Sequence, residues 1–269
     1  MSQGKFKVAA VQMVSAPEVE TNLARADALL GEAAAQGAVI AGLPEYFCIL
    51  GRRDADKVAV REPDGKGPIQ QFLAAAARKH KLWLVGGTVP LESPDPGKVK
   101  NSCLVFDPTG RRVARYDKIH LFGFDNGTER YQESRSIEPG AEPVQVQTPY
   151  GRMGLSVCYD LRFPELYRSF GAVDMIWVPS AFTATTGKAH WETLLRARAI
   201  ENLAYVIAPA QGGRHANGRD THGHSMVIDP WGQVLAERAE GEGVVVAEID
   251  PSETATRRAS LPALDHRVL

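Results

Sequence analysis

The chain carries only three cysteines in 269 residues, too few for a disulfide framework to hold it together. It has no apolar run long enough to span a bilayer. Neither sign of charge dominates: 31 basic and 32 acidic side chains leave a net charge of -1, which predicts no general affinity for nucleic acid or an anionic membrane. No interior linker, low-complexity tract or block of like charge divides the chain, so a single domain over residues 1–269 is expected, with the Pro- and Gly-containing stretch 92–100 as a surface loop. Near the N-terminus, Gln12 interrupts the short apolar run after Lys5 and Lys7, which argues against a secretory leader. These absences together favour a cytoplasmic protein.

What is present is an ordinary globular composition, with 44% hydrophobic and 23% charged residues. Apolar periodicity predicts strands over residues 6–14 and 38–43, separated by a helix over 22–36. A second round follows, with a helix over 69–80, a buried strand over 82–89, and a hairpin of 101–106 and 111–117 across Asp107-Pro108-Thr109-Gly110. Strands 144–148 and 152–158 form another hairpin candidate, followed by helix 164–170, strand 174–178, helix 190–202 and strand 204–209. The pattern closes on a hairpin of 224–229 and 233–238, a strand over 244–250 and a short helix. The segments VFDPTGRRVARYD and VIDPWGQVLAERA resemble one another, as either two related halves or repeated turn chemistry would make them. Mixed strands and helices in this order predict an α/β fold of two sheets with helices packed outside them.

Cys158 ends an apolar run and precedes a turn into a helix that Pro164 can begin, a geometry that exposes a side chain beside free backbone N–H groups. A thiol there is read either as a nucleophile or as a small buried hydrophobe. Cys48 and Cys103 lack that setting. Histidine is the usual base for such a thiol, but His222 and His224 share one strand face without a third ligand at short spacing, so no metal site is expected there. Glu45 follows the strand AVIAGL through Pro44, among Tyr46, Phe47 and Cys48, in the partly dry surroundings that suit a carboxylate base. Lys118 ends the strand RRVARYDK before Ile119 and Leu121. Each alone is commonly a solvated strand terminus; three reactive residue types at three strand ends are a pattern.

In the settings GLPEYF, RYDKIHLF and GLSVCYDLRFPEL, residues Glu45, Lys118 and Cys158 resemble the Glu-Lys-Cys triad of the nitrilase superfamily of carbon-nitrogen hydrolases. The resemblance runs from VAAVQM to LPALDHRVL and includes PSAFTATTGKAHWETLLRARAIEN and GHSMVIDPWG. Within the superfamily these segments are similar to the Nit branch, and APAQGGRH beside HGHSMVIDPWG is closer to deaminated glutathione amidases than to omega-amidases.

The resemblance implies an alpha-beta-beta-alpha sandwich that pairs as a homodimer, and a second site glutamate, for which Glu133 stands in the matching place. It implies hydrolysis of a small-molecule amide through a cysteine thioester without a cofactor, with Lys118 and the backbone N–H of Tyr159 stabilising the oxyanion. A 2-oxo acid substrate calls for a cation facing its carboxylate, and Arg162, Lys188, Arg214 and His215 are the candidates by neighbourhood. An omega-amidase or N-carbamoyl amino-acid hydrolase uses the same triad. A non-catalytic binding protein would have no use for the whole set.

Overall fold

A computed structural model describes residues 4–268. The first half contains β1 (Phe6–Gln12), α1 (Val19–Ala35), β2 (Ala38–Gly42), α2 (Asp56–Ala59), α3 (Pro68–His80), β3 (Trp83–Val85), β4 (Val89–Glu92), β5 (Val99–Phe106) and β6 (Arg112–Asp117). A small ribbon of β7 (Gly123–Asp125) and β8 (Arg130–Gln132) follows. The second half holds β9 (Val144–Thr148), β10 (Gly151–Leu155), α4 (Pro164–Ser169), β11 (Met175–Trp177), α5 (Ala184–Asn202) and β12 (Tyr205–Ala208). After these come β13 (Gly212–Arg214), β14 (Asp220–His222), β15 (Ser225–Ile228), β16 (Val234–Arg238), β17 (Gly243–Ile249) and α6 (Pro251–Ser260).

Two sheets form the centre. One runs β17-β1-β2-β3-β5-β4 with β6 also paired to β5; the other runs β16-β15-β12-β11-β10-β9. Each repeats one rule. From β17 through β1, β2, β3 and β5 to β6 the pairings are antiparallel, parallel, parallel, antiparallel and antiparallel. From β9 through β10, β11, β12 and β15 to β16 the same succession recurs. The similar DP-x-G segments occupy equivalent hairpins. Asp107 accepts hydrogen bonds from the backbone N–H groups of Thr109 and Arg111, and Asp229 accepts them from Trp231 and Gln233.

Strand alternation separates the layers. On β1, Val8 and Ala10 join the core between the sheets, whereas Ala9 and Val11 pack with Leu30 of α1 and Leu73 of α3 on the outer face. Both faces of these strands are buried, which is why their sequences read as nearly continuous apolar runs. On the other side, Trp191, Leu195 and Ala199 of α5 cover the second sheet. The sheets approach closely at Gly42, where a Cβ would stand 2.6 Å from the Trp177 ring.

Several element boundaries differ from the sequence reading, and two of the differences have a clear local cause. The strand predicted over 82–89 breaks at Gly86 and Gly87, and Gly87 takes φ 58° with the Pro44 carbonyl so close that a Cβ would lie 2.2 Å from it. The helix predicted from residue 190 begins at Ala184, because the Thr183 side chain accepts the Thr186 N–H at 3.2 Å and caps it.

Candidate active site

Glu45, Lys118 and Cys158 lie past the ends of β2, β6 and β10, so the parallel core strands deliver Glu45 and Cys158 to one rim, and the β5–β6 hairpin delivers Lys118. Sharp backbone turns lie at Cys158 and directly after Glu45. Tyr46 has φ 57° and Cys158 φ 50°, a left-handed conformation that costs of order 1 kcal/mol in a residue with a Cβ and that surrounding contacts must enforce. The Thr88 hydroxyl accepts the Tyr46 N–H at 2.9 Å, and the Cys158 N–H donates to the Pro179 carbonyl at 3.0 Å.

Lys118 is fully buried. Its Nζ donates to Glu45 Oε1 at 2.9 Å and to Glu133 at 2.8 and 3.0 Å. Burial alone would lower its pKa, but the carboxylates of Glu133 and Glu45, with the sulfur of Cys158 beside them, outweigh that and hold it above the ordinary lysine value. Glu133 shows the converse. Burial would raise it, but the charge and hydrogen bond of Lys118, the Phe122 N–H at 2.7 Å and the nearby Lys57 keep it below the usual carboxylate range. A buried trio of this kind is weak evidence for stability, since desolvation offsets most of the attraction, so its persistence points to chemistry.

The thiol of Cys158 is pushed well up, first by burial and then by the Glu45 carboxylate, while Lys118 and the Ala181 N–H pull the other way. The resting sulfur is therefore protonated, and attack on an electrophile needs a base to take that proton as it proceeds. Of the two carboxylates whose charge acts on that thiol, Glu45 has the larger effect. Its Oε1 also accepts Asn101 Nδ2 at 2.9 Å, and its backbone carbonyl accepts Gln211 Nε2 at 3.0 Å, so both ends of the residue are fixed. The Tyr46 hydroxyl donates to Glu133 at 2.8 Å.

Asn101, Gln211 and Tyr46 escaped the sequence reading. The available signal was a polar residue abutting a buried apolar run, in NSCLVF and in APAQGG. Asp160, two residues past the cysteine, is used as a brace: it accepts the Tyr116 hydroxyl at 2.7 Å, the Val157 N–H at 2.8 Å and the His120 N–H at 3.0 Å.

Of the four cations considered for a substrate carboxylate, Arg162 lines the cleft with Cys158, Tyr159, Phe182 and Thr186. Its guanidinium stands 5.7 Å from the Tyr159 ring centroid and 5.4 Å from that of Phe182. The other three lie elsewhere. Lys188 is on the outward side of α5, exposed Arg214 pairs with Asp220 at 2.8 Å, and His215 is buried between the Ser15 carbonyl at 3.0 Å and the Thr221 hydroxyl at 2.8 Å. His222 and His224 stack at 4.3 Å on the far side of α5, and no group able to hold a metal occurs among the described residues.

A family model described as carbon-nitrogen hydrolase matches residues 7–259. The deaminated glutathione amidase of Synechocystis sp. strain PCC 6803 / GT-S is 43% identical over 271 residues, covering 98% of each chain. An omega-amidase of Homo sapiens is 38% identical, covering 96% of this chain and 93% of its own. In structure, Saccharomyces cerevisiae Nit3, a member of branch 10 of the nitrilase superfamily, matches with a TM-score of 0.89 at 32% identity, over 100% of this chain and 98% of that one.

Proposed function

This chain belongs to the carbon-nitrogen hydrolase family, and we propose that it hydrolyses deaminated glutathione to 2-oxoglutarate and cysteinylglycine through a thioester on Cys158. The observation that carries the chemistry is the buried Lys118 held between Glu45 and Glu133 beside the Cys158 sulfur. Glu45 takes the thiol proton as sulfur attacks the amide carbon. The electron pair of the carbonyl moves to oxygen, where the Lys118 ammonium and the Tyr159 N–H stabilise it, each such donor lowering the barrier by about 3 to 4 kcal/mol. Collapse of this adduct breaks the C–N bond, and Glu45 passes its proton to the departing amine. The same carboxylate then draws a proton from water, whose oxygen attacks the thioester carbon; the C–S bond breaks, the acid leaves and Glu45 returns its proton to the sulfur. Glu133 keeps Lys118 charged and in place. No step calls for a cofactor.

The substrate assignment is supported by the similarity to the Synechocystis amidase and by Arg162, a guanidinium in the cleft that suits the 2-oxo acid carboxylate. Following the family pattern, the protein acts in the cytoplasm as a homodimer; three free buried cysteines fit a reducing compartment.

The test is release of 2-oxoglutarate from deaminated glutathione by the purified protein, with Cys158→Ala as control and omega-amide and N-carbamoyl substrates alongside. Release that disappears in the control is expected. Cleavage of another amide in place of deaminated glutathione would retain the mechanism and replace the substrate. No cleavage of any of them would leave a binding protein.

A further inference from the structure

Beside the cleft, and separated from it by Tyr46 and Ala181, lies a recess of about 30 Å³ lined by Tyr46, Leu50, Lys57, Asn217 and Arg219. None of these residues takes part in the steps above, though Tyr46 donates to Glu133 and the charge of Lys57 helps keep that carboxylate ionised. Lys57 Nζ stands 5.0 Å from the Tyr46 ring centroid, and the Arg219 guanidinium stands 5.1 Å from that of Tyr131, so both cations of the recess rest on aromatic faces. Neither forms a salt bridge among the described residues. The Arg219 guanidinium donates one hydrogen bond, to the Ala181 carbonyl at 2.6 Å, while its buried Nε has no partner. Arg53, at the rim, is already paired with Asp56, and the exposed Asp54 completes the edge.

We propose that Lys57 and Arg219 form a second anion subsite, which receives the carboxylate at the leaving-amine end of the substrate. This rests on the assignment of deaminated glutathione made above. That molecule carries a carboxylate at each end of the scissile amide. Arg162 lines the cleft that holds the cysteine and suits the nearer one, on the short acyl side. The leaving side, a cysteinyl and a glycyl unit, reaches further than the acyl side, and the recess beyond Tyr46 is a second place where cations without a salt bridge converge. Its volume fits a carboxylate rather than a whole amino acid. Burial lowers the Lys57 pKa, with the charges of Glu133 and Asp54 opposing, so an arriving anion would relieve the cost of keeping that ammonium charged. An omega-amide releases only ammonia and gains nothing from such a subsite, which makes it a device for choosing between the two branches.

The experiment compares kcat/KM for deaminated glutathione with that for its glycinamide analogue, in which the leaving-end carboxylate is a neutral amide, using wild type, Lys57→Met and Arg219→Gln. Wild type should prefer the acid by about tenfold or more, and in both variants the ratio should fall toward one. Lys57→Arg should restore most of the preference. Equal cleavage of acid and amide by wild type overturns the subsite while leaving the substrate assignment standing, as does a preference that survives in both variants. Cleavage of neither compound by wild type removes the substrate assignment and the subsite together. Circular dichroism identifies a misfolded variant, and the wild-type comparison then decides alone, since a missing preference there overturns the subsite.

Discussion

At the scale of single residues, the proposed mechanism is a proton circuit around a buried ammonium. Cys158→Ala should abolish turnover and the acyl-enzyme mass adduct seen in wild type after acid quench. Glu45→Gln should keep its hydrogen bonds to Lys118 and Asn101 through the amide oxygen, remain folded, and lose turnover by about 100- to 10,000-fold, because an amide cannot accept the thiol proton. A Glu45→Gln enzyme within tenfold of wild type would exclude Glu45 as the base. Tyr46→Phe tests a supporting contact. Loss of its bond to the Glu133 carboxylate should cost about 1.5 to 3 kcal/mol of stability, read by urea denaturation.

The pH dependence of stability follows from Glu133. Its folded pKa lies below the unfolded value, so its stabilisation is complete above about pH 4.3 and is lost as pH falls through the lower folded value. Glu133→Gln should therefore be less stable near neutral pH, yet lose less than wild type on further acidification between about pH 5 and 3. Denaturation midpoints of the two proteins across that range would show it. Parallel curves would mean that Glu133 is not the group responsible.

At the scale of elements, turns decide where the reactive groups go. Gly87→Ala would force a Cβ against the Pro44 carbonyl, directly before Glu45, in a backbone conformation unfavourable to alanine. Both a lower melting temperature and a fall in kcat are expected; a stable, fully active variant would show that this approach does not position Glu45. Thr183→Ala removes the cap of α5 and should cost about 1 kcal/mol, seen as a drop of about 2 to 4 °C in melting temperature. Most helices and strands were legible from apolar spacing, and each of these two misread boundaries has its own cause. Residues 82–89 look uniformly strand-like because the break comes from glycines whose conformation is set by a neighbouring loop, and α5 starts early because its first turn is polar and carries no periodic signal.

At the scale of the whole molecule, the fold is a doubled unit. The two sheets repeat the same succession of strand directions, and their equivalent hairpins share an Asp that caps its own turn. Repeated turn chemistry by itself would not reproduce the pairing order of six strands, so the similarity of the two segments reflects related halves. Trp231, 50% exposed, and Ile200, 47% exposed, lie together beside α5, where Arg257 stacks on the indole at 4.6 Å. If the proposed dimer covers this face, light scattering should give twice the chain mass for wild type and a lower mass for Trp231→Glu.

By itself the sequence determined the layers, the family resemblance and the three strand-end residues Glu45, Lys118 and Cys158, because these depend on local periodicity and on reactive groups placed where apolar runs stop. Tertiary structure alone decided which polar groups meet. Asn101 reaches Glu45 across 56 positions, Gln211 reaches it across 166, and Arg219 approaches the Ala181 carbonyl from 38 positions away. Arg162, Lys188, Arg214 and His215 were equivalent by neighbourhood, and only the packing of α5 and the β13–β14 ribbon turned one toward the cysteine and the others away. The physical reason is that a side chain's partners depend on the relative placement of distant elements, and sequence spacing encodes such placement only within one helix or one strand.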